Sequence, residues 1–192
     1  MTIELMPELG VEITPDISYI DLRERAEAAC RSALLLEKHG LDIDGTPADK
    51  EAAAALTPDE LTRDFGTADK SVLGTLVHVF AADRIWMGRI QGNVPARFID
   101  IDKDMHLSVL QNDWPPLLDQ WHAWVSGLDA EALAGNITYK DMKGNPYETA
   151  AWQIILHVVN HGTHHRGQVS GFLRAMGHKP PVLDLIAYYR SL

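Results

Sequence analysis

The stretch HVVNHGTHHRGQ, His157 to Gln168, holds four of the nine histidines of this 192-residue chain. It lies inside a longer segment, Thr149 to Met176, that is closed by Gly177 and the "KPP" after it. Glycine just past the last periodic residue and proline soon after are helix stop signals, so the pattern predicts one long helix here. At about 100° per residue, His157, His161 and His165 follow a single stripe, each one turn from the next. His164 lies beside His161 at the three-residue spacing. Two imidazoles four apart on one helical face can ligate a single metal ion. His157/His161 and His161/His165 both satisfy that spacing. Neither pair has Glu directly after its first His, which excludes the HExxH metalloprotease arrangement.

A catalytic metal site usually has three protein ligands and an open position. The third ligand must then come from another helix. His78, in "TLVHVFAADRIW", sits in an apolar run where an imidazole is costly unless it is paired or ligated. The competing reading of His78 is a hydrogen-bonded core histidine. His39, His106, His122 and His178 stand at scattered positions with polar neighbours and are expected to be solvated.

Three more helices surround this one. The first is expected from Pro15 to His39, with Thr14 as cap and Gly40 as stop. A Pro- and Asp-bearing connection follows, with a short helix expected over Lys50 to Leu56. The second long helix runs from Lys70 to Gln91, with Leu73, Leu76, Val77, Phe80, Ile85 and Trp86 on its apolar face, and Gly92 and Pro95 end it. The third lies between Asp104 and Gly127, where Pro115 and Pro116 are expected to kink the helix or start a new one. "ITYKDMKGNPYETA", Ile137 to Ala150, reads as a small hairpin or irregular excursion before the last long helix. The tail "VLDLIAYYR" is expected to be a short helix or strap. Four long helices with little strand signal predict an all-α fold, a four-helix bundle forming a single domain over residues 1–192.

Composition narrows the partners. The formal net charge is −10. An acidic surface repels phosphate backbones and anionic membranes, so neither nucleic acid nor membrane is an expected partner. Cys30 is the single cysteine, so no intrachain disulfide can form. The start "MTIELMPELGVEITPD" lacks a basic segment followed by an apolar one, and a cytoplasmic location is expected.

Two blocks carry a family resemblance. One is "LTPDELTRDFGTADKSVLGTLVHVFAADRIWMGRIQG", Leu56 to Gly92. The other is "ITYKDMKGNPYETAAWQIILHVVNHGTHHRGQVSGFLRAMGHKPPVLDLIAYYR", Ile137 to Arg190. With its "NHxTHHRGQ" core and the upstream "GTLxHxxxxDRxW", the chain resembles the DinB/YfiT-like family, whose members are read as metal-dependent enzymes. The resemblance implies a four-helix bundle, often a homodimer. It implies a metal site of one histidine from the second helix and two, four apart, from the fourth: His78, His161 and His165. His157 is then expected to line the pocket or pack between helices. His164 is expected behind the ligands or at an interface. Asn160 is a candidate to orient a ligand imidazole. Trp86 is a candidate pocket wall, with core packing as the alternative. Asp83 is expected to point away from the metal and pair structurally, Arg166 to form a helix-bridging salt bridge, and Gly167 to allow close helix approach. Many members carry Tyr-Asn-x-Trp-Ala on the first helix, where this chain has "YIDLRERAEAACRSALLLEKHG".

Three neutral imidazoles suit a divalent ion, and zinc, nickel and iron all accept them. Such an ion lowers the pKa of a bound water to about 7 and also holds a thiol as its reactive thiolate. Relatives include thiol S-transferases and a thiol-dependent maleylpyruvate isomerase. The resemblance therefore implies a transferase or isomerase acting on a small-molecule substrate with a low-molecular-weight thiol. The motif offers no carboxylate as general base, which favours the thiolate route over a metal-dependent hydrolase. The alternative outside enzymology is a non-catalytic metal-binding stress-response or scaffold protein. No catalytic residue beyond the ligands is assigned.

Overall fold

The computed structural model describes residues 3–4, 12–13, 52–181 and 183. The expected first helix, Pro15 to His39, lies outside the described residues, as does all of the expected tail strap except residue 183. Two short strands, β1 (Ile3–Glu4) and β2 (Glu12–Ile13), pair antiparallel. The short helix expected over Lys50 to Leu56 is represented by a helical turn at residues 52–54.

Helix α1 (Pro58–Thr62) follows, and the sequence reading did not anticipate it. Its signature was present in "TPDE". The Thr57 hydroxyl accepts from the Glu60 N–H, and the Glu60 carboxylate accepts from the Thr57 N–H at 2.9 Å. This capping box satisfies two donors that a short helix would otherwise leave unpaired.

Helix α2 (Val72–Gln91) is capped by Ser71, whose hydroxyl accepts from the Gly74 N–H, and ends at Gly92 in the left-handed conformation. Lys70, expected inside this helix, instead precedes its cap with φ 64°. Most of α2 is buried, from Val72 through Gly88. A helix apolar on nearly all sides is a central element. It packs on α4 (Leu107–Ser126), which follows the single turn α3 (Ile101–Asp104), and on α6 (Ala151–Ala175).

Helix α4 runs through Pro115 and Pro116 without starting anew, contrary to one of the two outcomes expected from sequence. The reason is burial. Leu110, Trp114, Leu117, Leu118, Trp121 and Val125 form one inward stripe spanning the prolines. Six such side chains, at roughly 1.5–3 kcal/mol each, outweigh a cost of about 3 kcal/mol or more per interior proline. Both prolines are exposed, on the solvent side of the helix.

Helix α5 (Ala130–Ala134) leads into β3 (Asn136–Lys140) and β4 (Pro146–Ala150), the expected hairpin, with Tyr139 opposite Tyr147. Gly144, at φ 88°, makes the turn. Asp141 holds it by accepting from the Lys143 and Asn145 N–H groups. Thr149, the expected start of the last helix, belongs to β4, and α6 begins two residues later.

At its far end α6 closes on Gly177, at φ 86°, and the His178 N–H donates to the Leu173 carbonyl. This glycine-based closure turns His178 towards α1, where its Nε2 donates to Glu60 at 2.8 Å. His178 was expected to be merely solvated; the contact forms because the end of α6 meets α1. Among the described residues the fold is mostly helical, and no helix is long and apolar enough to cross a membrane.

Candidate metal centre

The site begins with two helices that face each other. Helix α2 presents His78 from between the buried residues Val77 and Val79. Helix α6 presents His161 and His165, one turn apart, with Val158 and Val169 holding that face in the core. The structure brings these three histidines together, with one ligand atom of each within 4.8 Å of the others. His165 is buried, and the other two are half-buried.

Their nitrogens are oriented. His78 Nε2 lies 3.1 Å from His161 Nε2. His165 Nδ1 lies 2.7 Å from Gln168 Oε1. An amide oxygen only accepts, so Nδ1 carries the proton and Nε2 carries the free lone pair. His78 Nδ1 lies 3.4 Å from Asp69 Oδ1, and His165 Nδ1 lies 3.9 Å from Asp69 Oδ2. Oxygens behind Nδ1 and lone pairs at Nε2 are the usual arrangement of metal-ligating histidines.

The donor set fits a divalent ion. Two nitrogens each about 2.0–2.1 Å from one ion stand roughly 2.9–3.4 Å apart for octahedral to tetrahedral angles. The His78–His161 distance falls in that range. The surroundings of His161 and His165 agree. Burial, then the neighbouring His165, His78, His157 and His164, pushes the His161 pKa down to about 4. Burial also lowers His165, partly opposed by its bond to Gln168 and by Asp69. Neutral imidazoles are the form a metal requires.

Asp69 was not singled out by the sequence. It sits in a tight turn in which the Ser71 N–H donates to the Asp69 carbonyl at 2.7 Å and Lys70 takes its positive φ. A β-carbon on Gly74 would overlap that carbonyl oxygen. Glycine in the first turn of α2 therefore lets the Asp69 turn press against the helix. A glycine inside a helical pattern is the signal that could have pointed there. Gly167, expected to serve close approach, faces open space instead. It is exposed among the described residues.

The other expected residues spread outward. His157 is exposed; its ring lies 5.9 Å from that of His161 and 5.2 Å from that of Trp86. Partial desolvation of its ring, then Arg89, lowers its pKa. Trp86 also meets Tyr139 edge-on at 5.2 Å, so it links the hairpin to the histidine stripe. His164 is exposed, edge-on to His165 at 4.9 Å. Asn160 is exposed as well, and the oxygen that orients a triad imidazole comes from Gln168. Arg166 donates to Thr163 on its own helix. Asp83 is buried away from the site, as expected, and accepts from Trp114 Nε1 at 2.9 Å. Arg84 forms a two-toothed pair with Asp104 and donates to the Phe98 carbonyl. The Phe98 ring covers one side of His78, at 5.3 Å. Beside the Arg84–Asp104 pair lies a cavity of about 520 Å³, lined also by Arg97, Asp100 and Lys103.

Residues 48–191 match the family model described as DinB family. Among solved structures the chain is similar to the crystal structure of a DinB-like protein from Bacillus cereus ATCC 10987. The identity is 18%, the match covers 71% of this chain and 89% of that chain, and the TM-score is 0.49. No curated protein matches. With its family model spanning both helices that carry the triad, the chain belongs to the DinB family.

Proposed function

We propose that His78, His161 and His165 hold a divalent metal ion through Nε2, and that the protein is an enzyme using this centre to activate a small-molecule thiol for transfer or isomerisation. The observation that carries the reading is the convergence of three imidazoles, two of which, His78 and His165, turn Nδ1 towards Asp69 and Gln168. Bound there, zinc, nickel or iron would supply the positive charge that favours a thiolate over a thiol. The chain's own residues do the rest. Gln168 fixes the His165 tautomer. Asp69 steadies His78. Phe98 and the buried valines exclude water from one side of the cluster.

Hydrolysis is the second reading, and Asp69 is the observation in its favour, since it places a carboxylate beside the cluster. That carboxylate lies on the Nδ1 side of His78, behind the ligand nitrogen. The position suits orientation of the imidazole better than abstraction of a proton on the ligand side.

Metal analysis of the purified protein tests the centre. One divalent ion per chain is expected, lost in His78→Ala and His161→Ala; unchanged metal content in both variants would reject the triad. Parallel assays of electrophile conjugation with glutathione, mycothiol and bacillithiol test the chemistry. Metal-dependent hydrolysis without any thiol-dependent turnover would favour the second reading.

A further inference from the structure

Arg89 stands in the last turn of α2 against two aromatic rings. Its guanidinium carbon lies 4.4 Å from the centre of the Trp86 ring and 5.1 Å from that of Tyr139. It is half-buried, and burial lowers its pKa despite the opposing influence of Tyr139 and Asp141. Its Nε is buried with no hydrogen-bond partner among the described residues. Buried donors without partners are uncommon and cost free energy, so each one asks for an explanation.

Packing explains the cation but not its donors. Ring faces and the carbonyl end of a helix both stabilise a positive charge. Neither consumes the N–H groups, of which a guanidinium has five in one planar fork. The nearby acid, Asp141, is engaged elsewhere: it accepts from Lys143, Asn145 and the Asn145 side chain. Nε is too enclosed for a ligand to reach, but a carboxylate can accept from the two Nη groups of such a fork.

The surroundings indicate what the carboxylate is attached to. Tyr147 is 48% exposed and stacks on Tyr139 at 5.8 Å. Tyr139 meets Trp86, Trp86 meets His157, and His157 meets His161, at 5.2, 5.2 and 5.9 Å. A chain of ring contacts, edge-on at Trp86, thus runs from the hairpin past Arg89 to the histidine triad. Flat apolar groups lie favourably on such rings. Multiply charged anions are opposed by the net charge of −10.

We propose that the Nη groups of Arg89 anchor the carboxylate of a small monocarboxylic acid whose apolar body packs against the ring cluster of Tyr139, Trp86 and His157. That this body leads the molecule to a reactive centre rests on the metal-site reading above; the Arg89 contact itself does not.

The test uses benzoate, with benzamide as its neutral match, titrated into the full chain in metal-stripped and zinc-loaded forms. The Trp86 indole N–H and Arg89 Nε–H resonances are followed by NMR. Benzoate is expected to shift both, and benzamide to bind at least roughly tenfold more weakly. Arg89→Gln is expected to lose roughly tenfold or more in benzoate affinity, and Arg89→Lys to retain part of it. Equal binding of benzoate and benzamide to the wild-type chain overturns the proposal, and so does a chain that binds neither. That comparison needs no variant, so a misfolded Arg89→Gln cannot hide the answer. Benzoate bound through Arg89 in a protein that takes up no zinc would remove the metal centre and keep the subsite. A zinc-loaded protein indifferent to benzoate would do the reverse.

Discussion

The Asp69 carboxylate spans two histidines, with one oxygen 3.4 Å from Nδ1 of His78 and the other 3.9 Å from Nδ1 of His165. One side chain from a turn before α2 therefore stands behind a histidine of each helix. Asp69→Asn keeps the shape and removes the charge. It is expected to weaken metal binding roughly 10–100-fold, the usual effect of losing such a partner. Competition with a chromophoric chelator measures this. An affinity equal to wild type, in a variant with an unchanged melting curve, would show that Asp69 plays no part in the centre.

Gln168→Leu removes the acceptor that fixes the His165 tautomer. A loss of similar order, roughly 10–100-fold, is expected by the same measurement. The double variant with Asp69→Asn is expected to be non-additive, because both partners act on His165.

The Glu60–His178 contact joins α1 to the end of α6. The Thr57 backbone N–H, then His178, hold the Glu60 pKa at about 2, against an ordinary value of 4.5. A carboxylate with a lowered folded pKa adds stability that is complete above its unfolded pKa and is lost as pH falls through the folded one. Wild-type protein is therefore expected to lose this contribution between pH 4.5 and about 2. Glu60→Gln should lose less stability over the same interval in urea unfolding. Identical pH slopes for the two proteins would refute the assignment.

Two glycines make opposite predictions. Gly74→Ala forces a β-carbon into the Asp69 carbonyl. A backbone atom cannot swing aside as a side chain can, so a loss of about 1–3 kcal/mol is expected, with weakened metal binding as Asp69 shifts. Gly167 lies in α6 with open space around its α-carbon. Gly167→Ala is expected to stabilise the chain by about 0.5–1 kcal/mol. Thermal unfolding of the pair settles both, and the same sign for the two would contradict this packing.

Trp114→Phe removes the indole N–H that reaches the buried Asp83 carboxylate at 2.9 Å. Hydrogen bonds to charged groups contribute about 1.5–3 kcal/mol, which is the loss expected in denaturant unfolding. Trp121→Phe should cost less, because its N–H meets only the Asp83 carbonyl, at 3.3 Å.

Much of the architecture was legible along the chain. Gly92 and Gly177 stop their helices where the sequence places the stops, and the hairpin around Gly144 falls where turn residues interrupt β-branched and aromatic ones. These are local effects: caps, turns and hydrophobic period act between residues a few positions apart. Helix α1 is local too, marked by its capping box at Thr57 and Glu60. The continuity of α4 was not local. Its prolines argue for a break, and burial of Trp114, Leu117 and Trp121 against other helices overrides them.

The histidine stripe divides along the same line. Helical spacing alone puts His157, His161 and His165 on one face of α6 and leaves two equivalent pairs. Their equivalence ends when α2 crosses α6, because His78 arrives beside His161 and His165 while Trp86 arrives beside His157. Asp69 has no periodic relation to any of them and reaches the cluster through a turn with one positive φ. Spacing on a helix is a property of neighbours in sequence. The choice of partner belongs to the packing of residues far apart in the chain, and only the folded structure contains it.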